Sequence, residues 1–515
     1  MAKNYDQMVS VDKMPRTVYD LVTNSMETLF PECVAFRAVA EDGQTVLEWT
    51  YAQMAEDIRR TVTYLKESIP DIKGKKVALL SRNSYEYGVL TFGIMLSGAV
   101  LVTLNYKKTW PELEYELGLV EPALIFEDGI DYGYRAELEQ AYGSLLRPMN
   151  AYKDSQPGEL TNCIDPDELL VLMFTSGTTG RSKAVMQTER NYATANEMYI
   201  SGQQVLPSYK KKFAPADRMG KPISHFTLVP FFHLSGFICL WVYPMQGFSL
   251  NICSDPRNFY REIKLMPSDA MSTPPVLVEM VYNEIRRGHQ DRLNGLWNLS
   301  CSSAALDAEI LLTLVENGFY INQCYSMTEL AGDGLLNVEQ DAAHIGALGK
   351  PAQESEHKVD ETGEICVRGG SVMLGYYKDP EATAEVIDKD GWLHTGDLAR
   401  VDDEGYYYMT GRKKNVIILD SGENVSPEEL ENLLAECADI KECIVKEKGK
   451  KICAVVYCDA DKQQAVRDFI TETNRTLPLY KRMTAVHFSS RPSSSSGLTF
   501  SPLSRMIRFF LRPVI

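Results

Sequence analysis

The run Leu169-Leu-Val-Leu-Met-Phe174 passes directly into Thr175-Ser176-Gly177-Thr178-Thr179-Gly180-Arg181-Ser182-Lys183. An unbroken apolar run of this length reads as a strand buried on both faces, as in the middle of a parallel sheet. The loop behind it consists of small residues that let backbone N–H groups come close to phosphate oxygens. The hydroxyls of Thr175, Ser176, Thr178 and Thr179 add donors, and Lys183 adds a mobile positive charge. The G-x-x-x-x-G-K spacing fails, so this is not a Walker A loop. A plain Ser/Gly turn is the alternative, and nine such residues behind a buried strand count against it.

Elsewhere in the chain, short β-branched runs alternate with longer amphipathic ones. Lys76–Leu80 reads as strand, Tyr85–Ser97 as helix, Val100–Leu104 as strand, Glu112–Leu119 as helix and Ala123–Phe126 as strand. This alternation predicts an α/β fold with parallel sheets flanked by helices. The texture changes after about residue 360. Gly363–Arg368 and Gly405–Met409 read as strands joined by turns. Pro427–Cys437 reads as a helix with Ser426 as N-cap, Pro427 in its first turn and Glu429 completing a capping box. Strands at Ile444–Lys446 and Ala454–Cys458 and a helix at Gln463–Asn474 complete a small α+β domain over roughly 415–515.

Composition sets the limits on function. With 515 residues and 44% hydrophobic content the chain has more than one domain and ample core. A net charge of −17 argues against nucleic acid as the main partner, because duplex binding rests on phosphate neutralisation. It leaves room for a local basic pocket. Eleven scattered cysteines, with no C-x-x-C pair, read as buried reduced thiols of a cytoplasmic protein. The N-terminus lacks the apolar core of a signal peptide. Gly88–Leu104 and Phe226–Cys253 are free of charged residues, but glycines and prolines interrupt them, so a soluble core is expected rather than a transmembrane span. The last 43 residues differ in kind: they hold seven Lys and Arg and no acid.

Two further segments carry chemistry. In Tyr325-Ser326-Met327-Thr328-Glu329 a hydroxyl precedes a carboxylate, a pair that suits phosphate and Mg²⁺; a helix start with a capping Thr is the equal alternative. In Gly391-Trp-Leu-His-Thr-Gly-Asp397 the Asp suits a ribose diol, or is the structural acid of a turn. Gly411-Arg412-Lys413-Lys414 follows it, and Arg412 could add a donor to the same sugar.

Together the three segments resemble those of the acyl-adenylate-forming (AMP-binding) enzymes, most closely the acyl- and aryl-CoA ligases. Pro230-Phe-Phe-His-Leu-Ser-Gly236, Cys301-Ser-Ser-Ala-Ala-Leu306, Gly375-Tyr-Tyr-Lys-Asp-Pro380 and Ser421-Gly-Glu-Asn-Val-Ser-Pro427 extend the resemblance over nearly the whole chain. It implies that a carboxylic acid reacts with ATP to give acyl-AMP and pyrophosphate, and that coenzyme A then displaces AMP. It also implies a large ATP- and acid-binding domain over 1–411, a hinge at 412–415 and a small mobile C-terminal lid domain over 416–515.

By the same resemblance, Thr175–Lys183 embraces the β- and γ-phosphates. Ser303, Ala304 and Ala305 line the adenine and acyl sites, and Tyr325 packs on the adenine within the Tyr325–Thr328 nucleotide segment. Thr328 bonds the α-phosphate and Glu329 holds Mg²⁺. Asp397 binds the ribose with support from Arg412, Lys414 lies on the hinge, and His233 sits by the acyl carboxylate. Ser182, Ala184 and Ser326 are mild departures, standing where the family usually has Pro, Gly and Gly. Leu498 is a serious one, since Pro492-Ser-Ser-Ser-Ser-Gly497 should be followed by a catalytic lysine. Its loss predicts slow adenylation.

The aromatic Phe231-Phe232-His233 pattern and the 375–387 segment point to a fatty or other apolar acid, with His233, Phe237, Cys301, Tyr325 and Leu330 as pocket residues. An enzyme that loads a carrier-protein phosphopantetheine, or a nucleotide-binding pseudoenzyme, are the alternatives.

Overall fold

A computed structural model describes residues 15–175, 181–204, 223–253, 255–302, 308–351, 355–415, 417–418, 424–448, 451–477 and 481–489. The chain forms two compact units: residues 1–356 with 367–393, and residues 357–366 with 394–515.

The larger unit is α/β. Its seven-stranded sheet has the order 375–376, 183–187, 171–175, 100–103, 76–80, 124–127 and 146–148. The strands Lys76–Leu80, Val100–Thr103 and Leu124–Glu127 pair in parallel, as does Val100–Thr103 with Val171–Thr175. The apolar runs follow from burial on both faces. Leu101, Val171 and Met173 join one core, whereas Val100, Val102 and Leu172 point into another. Period-two alternation between two cores leaves no face for a charge. The charge-free Gly88–Leu104 segment is therefore core: the helix Tyr85–Leu96 is buried all round, then Gly98, at φ +87°, turns the chain into the Val100–Thr103 strand. Ser84 caps that helix, accepting from the Tyr87 N–H at 3.1 Å.

A nine-stranded sheet in the same unit has the order 350–351, 334–337, 320–326, 298–302, 270–273, 224–227, 249–252, 34–39 and 46–50. The second charge-free segment resolves into the strand Ser224–Thr227, the helix Leu234–Val242 and the strand Ser249–Ile252. No helix among the described residues is long and apolar enough to cross a membrane.

The smaller unit holds most of a four-stranded sheet (355–359, 364–369, 393–401, 407–412), a two-stranded ribbon, and a three-stranded sheet of 442–447, 452–457 and 485–488. The helices Pro427–Ala435 and Gln463–Thr476 pack on the last, with Leu430, Leu434, Val445, Val456, Val466 and Ile470 in one core. Ser426 caps the first helix as expected, accepting from the Glu429 N–H at 3.3 Å. The return arm of the capping box is replaced: Lys481 takes the Glu429 carboxylate at 2.7 Å, and the helix ends two residues early, at Ala435. None of the eleven cysteines is in a disulfide.

Candidate functional site

In the larger unit the phosphate-type loop closes an antiparallel hairpin. Thr175 ends the strand Val171–Thr175 and sits opposite Lys183, which opens the strand Lys183–Gln187. Ser176, Gly177, Thr178, Thr179 and Gly180 lie outside the described residues. A two-residue strand, Gly375–Tyr376, pairs with the far side of Lys183–Gln187, placing Tyr376 opposite Val185. This register puts the Tyr376 ring under the Lys183 ammonium, 4.7 Å from Nζ to the ring centroid. The Tyr376 hydroxyl donates to Glu329 Oε1 at 2.9 Å. Burial and the Glu329 carboxylate together raise the Tyr376 phenol well above its usual pKa, so it stays protonated and donates. Lys183, Tyr376 and Glu329 thus form a line of cation, aromatic ring and carboxylate.

Glu329 is 7% exposed and stands in the short 3₁₀ turn Thr328–Leu330, whose N-cap is Met327, so Thr328 opens a single turn and does not cap a helix. Bonds from two other segments help hold that turn. Gln187 Nε2 donates to the Thr328 carbonyl at 2.6 Å, and the Met373 N–H donates to the Glu329 carbonyl at 2.9 Å. Gln187 is fixed in turn by the Tyr192 hydroxyl. Just upstream, Ser326 Oγ donates to the Asp333 carbonyl at 2.6 Å. The strands 320–326 and 334–337 approach so closely that a Cβ on Gly334 would lie 2.0 Å from the Tyr325 carbonyl oxygen. Tyr325, Ser326, Met327 and Thr328 all retain partial exposure. Oxygen donors of this kind, a nearly buried carboxylate beside a partly exposed hydroxyl, suit Mg²⁺, which takes few protein oxygens and shares phosphate ligands.

His233 caps the helix Leu234–Val242. Its Nδ1 lies 2.8 Å from Ser235 Oγ and accepts from the Ser235 N–H at 3.4 Å. The protein packed around the imidazole lowers its pKa, an effect that the ring's remaining exposure to water moderates. Gly236 is required here: a Cβ would lie 2.2 Å from the Pro230 carbonyl oxygen. Of the expected pocket residues, Phe237, Cys301 and Leu330 are at most 2% exposed. Phe237 packs on Tyr192 at 5.4 Å. Ser303, Ala304 and Ala305 lie outside the described residues.

In the smaller unit Asp397 and Arg412 face each other across the strands Leu393–Val401 and Tyr407–Arg412. Arg412 Nε lies 2.9 Å from Asp397 Oδ1, with the Asp397 side chain nearly buried and Arg412 half exposed. Asp397 therefore stands in a strand, not an isolated turn. Lys413–Asn415 form a short 3₁₀ turn that includes the Lys414 backbone. The Leu498 position lies outside the described residues.

Sequence reasoning missed Tyr376 and Glu364 as individual residues, although both fall in segments it quoted. Glu364 is 2% exposed and organises the approach to Asp397. It accepts from the Gly396 N–H at 2.8 Å and pairs with Lys413 Nζ at 2.7 Å and with His394 Nδ1 at 3.1 Å. Thr395 Oγ1 donates to the Ile365 carbonyl at 2.8 Å and accepts from the Asp397 N–H at 3.1 Å. Donor atoms of Asp360, Glu364, Cys366 and His394 lie within 4.8 Å of one another, a spacing open to a metal. The Lys413 ammonium already neutralises the central carboxylate, so an ion-paired hub accounts for the cluster.

A family model described as "AMP-binding enzyme" matches residues 30–377. The feruloyl-CoA synthase of Amycolatopsis sp is 30% identical over 472 residues, covering 87% of this chain and 91% of the relative. The long-chain-fatty-acid–CoA ligase of Salmonella typhimurium is 28% identical over 511 residues, covering 87% and 88%. Among solved structures, ATP-bound MatB from Rhodopseudomonas palustris superposes with a TM-score of 0.76 at 22% identity, over 96% of this chain and all of that one. The o-succinylbenzoate CoA synthetase of Bacillus subtilis with its acyl-adenylate intermediate gives 0.74 at 22% identity, over 96% and 98%.

Proposed function

The chain belongs to the AMP-binding enzyme family as an acid–thiol ligase of the acyl-CoA synthetase type, and from that premise we propose that it joins a fatty or other apolar acid to coenzyme A through an acyl-AMP intermediate. The observation that carries this reading is the Lys183–Tyr376–Glu329 line. Attack of a carboxylate on the α-phosphate brings two anions together, and placed cations must offset the repulsion in the transition state.

In this reading the 175–183 loop holds the β- and γ-phosphates, with Lys183 as its cation. Thr328 donates to the α-phosphate. Glu329, fixed by Tyr376, would hold Mg²⁺, whose chemistry is to neutralise charge on the phosphate oxygens. Tyr325 stacks on the adenine, with Ser303, Ala304 and Ala305 beside it, and Asp397 and Arg412 take the ribose. His233 sits by the acyl carboxylate, where the lowered pKa of its imidazole favours a neutral hydrogen-bonding partner over a cation. Lys414 belongs to a hinge at 412–415. This reading assigns the reaction to the cytoplasm, where ATP and coenzyme A are both available.

Leu498 bears on the first half-reaction. A charge-assisted donor aimed at a transition state is worth about 2.7–4 kcal/mol, or roughly 10²–10³ in rate. Adenylation is therefore slow in this chain, while thioester formation from a supplied acyl-AMP persists, because the acyl group is already activated. The test is a panel of carboxylic acids, assayed both as ATP–pyrophosphate exchange and as thioester formation from presynthesised acyl-AMPs with free coenzyme A. Thioester from at least one acyl-AMP is expected. Nucleotide binding with no product from any acid or acyl-AMP would identify a binding protein instead.

A further inference from the structure

The phosphate-type loop is rooted in a charged pair that the reaction above does not use. Lys108 follows the strand Val100–Thr103 and precedes the helix Trp110–Val120. Its ammonium donates to Ser182 Oγ at 2.8 Å and to the carboxylate of Glu116. The Glu116 side chain is fully buried and that of Lys108 is 16% exposed. Burial raises the Glu116 pKa, and the bonded ammonium works against that rise.

The contacts reach both ends of the loop. Phe174, where the strand enters it, lies under the Lys108 ammonium at 5.8 Å. Arg181, where the loop leaves, lies over the ring of Tyr115 at 5.5 Å, one residue from Glu116 on the same helix. A buried ion pair contributes little to stability, and an apolar pair would often pack at no greater cost. What it does provide is an ammonium fixed at the root of the loop. A proline at position 182 would offer it no hydroxyl.

We propose that Lys108 is a positioning residue for ATP: clamped by Glu116, it holds Ser182 and thereby fixes the Arg181–Lys183 stretch from which Lys183 meets the β- and γ-phosphates. The inference rests on the ligase reading, and Lys108 acts through Ser182 without touching the nucleotide. Holding the neighbour of Lys183 in place before ATP arrives matters because a group that must be fixed on binding gives up part of its contact energy in doing so.

The test measures binding, not turnover, on the full chain. Calorimetric titration compares the magnesium complex of α,β-methylene-ATP with AMP, which lacks the β- and γ-phosphates. The double variant Lys108→Met with Glu116→Gln removes both charges and leaves no stranded carboxylate; Ser182→Ala removes only the hydroxyl. Each is expected to weaken the ATP analogue about tenfold, the scale of one hydrogen bond to a charged group, while AMP affinity stays unchanged. Equal losses for both nucleotides would make the pair a general structural element and overturn the proposal, as would unchanged affinity for the analogue. A wild-type chain that binds neither nucleotide would overturn the ligase reading itself, and the inference with it.

Discussion

Replacing Tyr376 by Phe removes one oxygen from the centre of the Lys183–Tyr376–Glu329 line and leaves the ring under Lys183 in place. The lost bond is a 2.9 Å donation to a carboxylate that is 7% exposed, so water cannot readily replace it. A hydrogen bond to a charged group contributes about 1.5–3 kcal/mol. The larger unit holds about 380 residues, and at about 2.1 cal/mol/K each its unfolding entropy is about 0.8 kcal/mol/K. The melting midpoint should therefore fall by about 2–4 °C. Tyr376→Leu, which also deletes the ring over which the ammonium sits, should fall further. If Glu329 holds Mg²⁺ as proposed, loss of the group that orients it should also raise the Mg²⁺ concentration for half-maximal turnover, about 10–100-fold. Thermal unfolding followed by circular dichroism and a Mg²⁺ titration of thioester formation read the two effects. An unchanged midpoint together with an unchanged Mg²⁺ requirement in Tyr376→Phe would refute the role given to this hydroxyl.

Other outcomes follow from named positions. Burial raises the Glu431 carboxyl to about 7, so in the folded state it holds its proton well above the unfolded range. Its stabilising contribution is complete below the unfolded value of 4.5 and is lost as pH rises towards 7, by up to about 3 kcal/mol. Glu431→Gln should be the more stable protein at pH 8 and should flatten that slope in urea titrations; a variant less stable than the wild type at pH 8 would contradict it. His225 is buried and its pKa lowered to about 3, so stability should fall as pH drops below 6.5, and His225→Gln should melt less steeply with acidification in the same experiment. Gly334→Ala drives a Cβ into the Tyr325 carbonyl, a backbone contact that cannot give way cheaply, and should cost at least about 1–3 kcal/mol by chemical denaturation. Leu498→Lys should raise acid-dependent pyrophosphate exchange about 10²–10³-fold with little change in thioester formation from acyl-AMP; no gain would remove Leu498 as the cause of slow adenylation.

The parts of the fold legible in the sequence were those in which one residue type repeats with a clear period. The strand Lys76–Leu80 and the helix start at Pro427 lie where patterning and caps put them, because burial on both faces, or a proline in the first turn, has few solutions. The return arm of the capping box was less legible, since Lys481 takes the Glu429 carboxylate from 52 residues away. Asp397 and Arg412 were each chosen from the sequence as candidates for one sugar, and their pairing across two strands is the structure's addition. Tyr376 could not be singled out in this way. Its importance depends on strand register against Val185, which nothing local encodes. Glu364 reads in the sequence as an ordinary strand acid, and only its burial against Lys413, His394 and the Gly396 N–H shows what it organises.

The edge strand Gly375–Tyr376 also sets an order of events during synthesis. Val171–Thr175 and Lys183–Gln187 pair with near neighbours, and that hairpin is available early. Its outer partner is 191 residues further on, counting from Val185 to Tyr376. A nascent chain therefore carries the loop lysine for a long interval before the tyrosine and the anchored Glu329 turn can join it, and the last strand to arrive is the shortest. Non-local pairings of this kind close late and at high entropic cost. Until then the 183–187 strand presents an open edge, and that edge is where a stalled or truncated chain would be most exposed to pairing with the wrong partner.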